Sequence, residues 1–248
     1  MPDLTGILIL FVVGAAAAFI NVNAGGGSTL TLPALIFLGV DPVVANGTNR
    51  LSILIQNASA VYSFKQENFY ELKNSLILSA LTLPGAILGA VFAVRLDDKT
   101  FQNILAIIMI FIVITMIIPK KKQTKVTDKI KLDWKSIPAL LAVGLYGGFI
   151  QVGVGFLLMA SFQNLMKLDL IRVNMHKVFV VFIYTIPAFL IFVFTRNINW
   201  YYGLTLSAGT ALGAWWGVKL SIKKGEGLIK VVLIIAILIM ALKLLNVF

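Results

Sequence analysis

The chain has 248 residues, of which 59% are hydrophobic and 12% charged, against usual values of ~45–50% and ~25% for soluble domains; this excludes an ordinary soluble domain and points to a lipid-embedded protein. The absence of cysteine excludes disulfides, thiolate metal sites and cysteine nucleophiles. A formal charge of +11 does not call for nucleic acid, because the lysines flank apolar segments, where anionic lipid and membrane topology account for them.

In chain order, the first apolar element covers about 4–22. It lacks a basic leader region, so Leu4 to Ile20 reads as a retained membrane segment and not as a cleaved signal peptide. The stretch N-V-N-A-G-G-G-S-T-L-T at 21–31 interrupts it, and further apolar elements follow at about 28–40, 47–64, 73–94 and 100–118. A basic polar stretch, 119–135, then separates this first membrane repeat, 1–118, from a second, 136–248. The second repeat holds elements at about 136–152, 154–166, 173–195, 198–218 and 228–247. The second element of each half has only ~13 residues, about half of a membrane span. Each half is therefore expected to begin with a hairpin that enters the membrane, breaks, and returns.

The halves resemble each other. Gly14, Phe19, Ile20, Val22 and Gly25 recur 130 positions later as Gly144, Phe149, Ile150, Val152 and Gly155, and Asp41 and Asn46 recur 128 positions later as Asp169 and Asn174. G-A-I-L-G-A-V-F-A-V-R-L from Gly85 returns as G-T-A-L-G-A-W-W-G-V-K-L from Gly209, with six of twelve positions identical. Three such blocks in one order indicate an internal duplication. With the 119–135 linker in the cytoplasm, sixteen of the twenty-one basic residues fall on that side, as the positive-inside rule expects. Both termini are then outside. Five elements per half make the repeats inverted, a plan that places a transporter's site where the helix breaks meet. The expected fold is thus an all-α polytopic membrane protein of two inverted repeats with broken, re-entrant first helices.

A break strands backbone N–H and C=O groups, which is tolerable only within protein or beside a watery cavity. Gly25, Gly26 and Gly27 permit a tight reversal, Ser28 or Thr29 can cap the following helix, and that helix's N-terminus favours an anion. Asn21 and Asn23 add amides at membrane depth. Gln151, Gly153 and Gly155 form the thinner counterpart. Gly85 with Gly89, and Gly209 with Gly213, read instead as close helix packing.

A second cluster opens each third element: A-N-G-T-N-R from Ala45 and V-N-M-H-K-V from Val173. It brings Thr48, Asn49 and Arg50 together with Asn174, His176 and Lys177 as candidate substrate contacts. Snorkelling to the interface is the competing reading for Arg50 and Lys177, and a solvated interfacial position for His176, the sole histidine. All ten acidic residues lie in connections or at their edges. Paired catalytic carboxylates, a metal cluster and a buried carboxylate relay are therefore not expected, nor is a cofactor. The remaining inventory of amides, hydroxyls, glycine backbone and lysine donates hydrogen bonds and suits an oxyanion.

N-V-N-A-G-G-G-S-T-L-T-L-P-A-L-I-F-L-G-V with A-N-G-T-N-R, followed by a weaker copy after a basic loop, resembles the TauE/SafE sulfite exporter family, also called the toluene sulfonate uptake permeases. The resemblance implies an inner-membrane transporter of sulfur-containing anions such as sulfite or organosulfonates, with Asn21 to Ser28 and Thr48-Asn49 as the first half's share of the site. The second half departs from the pattern. Q-V-G-V-G-F-L-L-M-A-S-F lacks the usual proline, and His176 replaces the small hydroxyl residue that commonly precedes the lysine.

The leading expectation is a secondary transporter of a small sulfur oxyanion within the lipid bilayer, with no nucleic acid partner. Alternatives are a carrier or channel for another anion, such as a carboxylate, and a non-transport assembly factor of a membrane complex. A membrane enzyme would need carboxylates, histidines or cysteines that the apolar segments lack. Oligomeric state, coupling ion and direction of transport are not legible.

Overall fold

The computed structural model describes residues 4–117 and 132–221. Most of the 119–135 linker and the whole element expected at 228–247 lie outside the described residues. Within them the chain forms nine α-helices and no strand. The first half contributes α1 (Leu4–Ala24), α2 (Ser28–Phe37), α3 (Pro42–Gln66), α4 (Leu72–Ala93) and α5 (Asp98–Ile117). The second contributes α6 (Ser136–Phe149), α7 (Val154–Asn164), α8 (Leu170–Phe194) and α9 (Trp200–Ser221).

The third helices start earlier than expected, at Pro42 and Leu170 and not near 47 and 173. The cause is local. Pro42 occupies the first helical turn, where its missing N–H costs nothing, and the Asp169 carboxylate accepts a hydrogen bond from the Arg172 N–H at 3.0 Å, a helix N-cap. Thr48 to Arg50 and Asn174 to Lys177 therefore lie inside helices and not at their entrances.

Helices α1, α4 and α8 are long and apolar enough to cross a membrane. The ten-residue α2 spans about 15 Å at 1.5 Å per residue, half of a ~30 Å hydrocarbon core. It runs back along α1: a Cβ on Gly6, near the start of α1, would lie 3.5 Å from the side chain of Leu38, just past the end of α2. The exterior is apolar, with Leu8, Val12, Phe92, Ile107, Phe111, Phe194 and Trp216 exposed, while Asn46, Thr48, Asn49, Arg50, Gln151, Asn174 and His176 are fully buried. A surface facing hydrocarbon, with the polar side chains turned inward, follows from a lipid solvent.

Helix contacts recur in matched pairs. α1 packs on α9 as α6 packs on α4; α3 meets α9 as α8 meets α4; and α3 meets α8 at the centre. The closest approaches use the repeated glycines. A Cβ on Gly85 or Gly89 would overlap the carbonyl oxygens of Leu141 or Leu145 in α6, and one on Gly209 or Gly213 those of Phe11 or Ala15 in α1. Small residues here bring backbones into direct contact, the packing mode of membrane helices, where apolar transfer supplies no drive for association. Each half thus clasps the broken first helix of the other.

Candidate functional site

The two breaks meet. Gly25 ends α1 with φ of +90°, and a Cβ there would lie 2.7 Å from the Gly155 carbonyl carbon and 2.9 Å from the Phe156 nitrogen. Gly155 is equally closed to a side chain by Gly25. Any larger residue at either position would push the breaks apart.

The first break folds on its own atoms. The Gly27 N–H donates to Asn21 Oδ1 at 3.3 Å, and the Thr29 and Leu30 N–H groups donate to the Gly26 and Gly27 carbonyls at 3.1 and 3.0 Å. Neither Ser28 nor Thr29 caps α2 through its side chain; Gly27 is the N-cap residue. The Ser28 hydroxyl instead reaches across to the Gln151 carbonyl at 3.2 Å, and the Thr29 hydroxyl donates to the Gly26 carbonyl.

The second break has fewer glycines and more strain. Gln151 holds φ of +58° and Gly153 +72°, the former a left-handed conformation unfavourable to a residue with a Cβ. Surrounding bonds impose it: the Gln151 amide donates to Thr185 Oγ1 at 3.1 Å, and the Tyr146 hydroxyl donates to the Val152 carbonyl.

Two buried cations brace these breaks, each crossing to the opposite half. Lys177, 2% exposed, donates from Nζ to the Asn21 and Val22 carbonyls at 2.9 and 3.0 Å and to Asn174 Oδ1 at 2.8 Å. Arg50, fully buried, donates to the Gly147, Gly148 and Phe149 carbonyls and stacks 4.7 Å above the Phe192 ring. Cations at helix C-termini satisfy orphan carbonyls and oppose the negative dipole end. Neither residue snorkels: burial and carbonyl partners replace that reading.

A small cavity, with room for about one water molecule, lies at the meeting point. Of the residues expected from sequence, Asn21, Ser28, Gln151, Gly155 and Lys177 line it; Ile53, Asn57, Val154 and Val181 complete the wall. Gly25, Gly26, Gly27 and Gly153 shape the adjoining turns. The other candidates sit elsewhere. Asn23 donates to the Phe19 carbonyl at 2.7 Å and the Gly217 carbonyl at 3.4 Å. Thr48 accepts from the Asn199 N–H at 2.9 Å and so ties α3 to the start of α9. Asn49 Oδ1 accepts from Ser52 at 3.3 Å. Asn174 supports Lys177, and His176 points to α4, with Nδ1 2.8 Å from Ser75 Oγ. Asn57 was missed by sequence reasoning, although an amide in the charge-free stretch 51–64 is the same signal that singled out Asn21.

The profile of the family described as sulfite exporter TauE/SafE matches residues 10–244. The chain belongs to the TauE/SafE family. It is accordingly a membrane transporter. Similar proteins include the probable membrane transporter protein ORF9 of Sinorhizobium sp., 29% identical over 99% of this chain and 95% of the relative. A probable membrane transporter protein of Haemophilus influenzae is 28% identical over 96% of this chain and 93% of its own length. YfcA of Escherichia coli K12, also a probable membrane transporter protein, is 30% identical over 98% and 90%. No solved structure matches the chain.

Proposed function

We propose that this TauE/SafE member is a secondary transporter of small sulfur-containing anions, such as sulfite, sulfoacetate or other organosulfonates, across the inner membrane by alternating access. The observation that carries the reading is the meeting of the two breaks at Gly25 and Gly155 beside a cavity that offers the amides of Asn21 and Gln151, the Ser28 hydroxyl and the Lys177 ammonium. These groups donate hydrogen bonds in a low-dielectric setting, where a tetrahedral or pyramidal oxyanion can use several at once. The cavity is too small for such an anion, so this arrangement corresponds to the closed member of an alternating pair. Opening requires the halves to part along the α3–α8 contact, with Lys177 exchanging backbone carbonyls for substrate oxygens.

The orientation has the 119–135 linker in the cytoplasm, both termini outside, and the halves inverted. A single cysteine at Gln123 should then be labelled only from the cytoplasm, and one at Asp97 only from outside. Substrate class is tested by counterflow in proteoliposomes, with sulfite, sulfoacetate, p-toluenesulfonate and a carboxylate as competitors. Competition by the sulfur oxyanions is expected. Competition by the carboxylate alone would replace them as substrate.

A further inference from the structure

His176 lies next to Lys177 in α8 and faces the other way. Its side chain is fully buried, with Nδ1 2.8 Å from Ser75 Oγ and Nε2 3.7 Å from Glu71 Oε2. At that distance Nε2 makes no hydrogen bond. The charged groups around it are Glu71, at the entry to α4, and Asp169 and Arg172 on the α8 side; Lys177 is its neighbour in sequence. Arg172 Nε pairs with Glu71 Oε1 at 3.3 Å and Asp169 Oδ2 at 3.6 Å, and Glu71 Oε2 also accepts from the Asn74 amide at 2.7 Å. From α7, Phe162 contributes only a ring edge. A cleft lined by Phe64, Tyr70, Glu71, Ser75 and Met175 leads along this cluster, and the Glu71 side chain remains 29% exposed.

We propose that His176, facing Glu71, is a proton-binding site that couples anion movement in the central cavity to co-transport of H⁺; this rests on the transport reading above. With Nδ1–H donating to Ser75, the Nε2 lone pair accepts the proton, and the imidazolium gains the ion pair with Glu71 that the neutral ring lacks. Glu71, its side chain 29% exposed at the entry to α4, stands beside the buried ring. The coupling element is α8. It carries the histidine on its α4-facing side and, one residue on, the lysine that holds the α1 break and lines the cavity. A shift of this segment therefore changes both sites together. One monovalent sulfonate and one proton cross without net charge.

The sole histidine gives the test a direct readout. The purified protein, labelled with ¹⁵N-histidine and reconstituted in lipid nanodiscs, is titrated by NMR over roughly pH 3 to 8. The expected result is a titrating imidazole whose midpoint falls by about one pH unit in Glu71→Gln. Saturating p-toluenesulfonate, which stays ionised throughout, should raise the midpoint, because linkage is reciprocal. In proteoliposomes, His176→Gln should retain sulfonate counterflow within about twofold and lose the proton flux that accompanies net uptake in the unaltered protein. A ring that stays neutral across the range, or a titration indifferent to Glu71→Gln, overturns the proton site. Counterflow with proton flux undiminished in His176→Gln overturns the coupling. Absence of sulfonate counterflow in the unaltered protein, beside a Glu71-dependent titration, refutes the substrate assignment and supports the proton site.

Discussion

The two breaks perform the same reversal with different materials. At 25–27 three glycines make the turn, and its N–H groups bond to Asn21 and to the turn's own carbonyls. At 150–153 the backbone instead forces Gln151 into a left-handed conformation, held by Thr185 and Tyr146. The braces differ as well. Arg50 is committed to three carbonyls and an aromatic ring, whereas Lys177 holds two carbonyls and one amide at the cavity wall. The first break is compact and carries the lysine brace at the cavity wall, whereas the second is held by Thr185, Tyr146 and the arginine brace.

The largest expected effect comes from forcing the breaks apart. Gly25→Ala combines a strained φ with a Cβ against the Gly155 backbone and should destabilise by about 3 kcal/mol or more, read as loss of monodisperse protein and a fallen Tm in detergent. Gly39→Ala is the control: its φ is +83° but nothing lies within 4 Å, so only the conformational cost of about 1 kcal/mol should appear. Equal losses would show that the meeting of the breaks carries no special weight.

Next come the braces. Arg50→Met and Lys177→Met should each lower stability by about 2–3 kcal/mol, since each strands buried carbonyls that had a charged donor. They should part in binding: folded Arg50→Met keeps its sulfonate affinity within about threefold, while Lys177→Met loses tenfold or more, the loss of about one charge-assisted bond. Affinity that falls equally in both would place Arg50 at the substrate. The smallest effects belong to the amides. Asn21→Ala and Gln151→Ala should weaken binding about fivefold, with Asn21→Ala the more destabilising because it also leaves the Gly27 N–H without its partner. A competition series in counterflow, beside thermal unfolding, separates these outcomes.

The helical architecture was legible because a membrane span writes itself as a long charge-free run, and the breaks because glycine and amides at depth have few other uses. The close packing at Gly85, Gly89, Gly209 and Gly213 was legible for the same reason. Less visible was where polar side chains go once buried. Sequence placed Arg50 and Lys177 either at substrate or at the interface, but not on the carbonyl ends of the opposite half's helices. That choice depends on tertiary contacts made 97 to 156 residues away in the chain. Thr48 and Asn23, which sequence grouped with the site, are spent on helix-to-helix bonds. Asn57 reaches the cavity only because α3 lies at the centre.

Gly25 and Gly155, which touch, stand one repeat apart. In a dimer of identical chains such a contact is made by a residue and its own copy at the two-fold axis. The repeated sequence blocks, taken as copies, imply a half-length ancestor that met a second molecule at this glycine. Ser28 bonding to the Gln151 carbonyl, and a lysine on one side opposed by an arginine on the other, mark where the two halves are not alike.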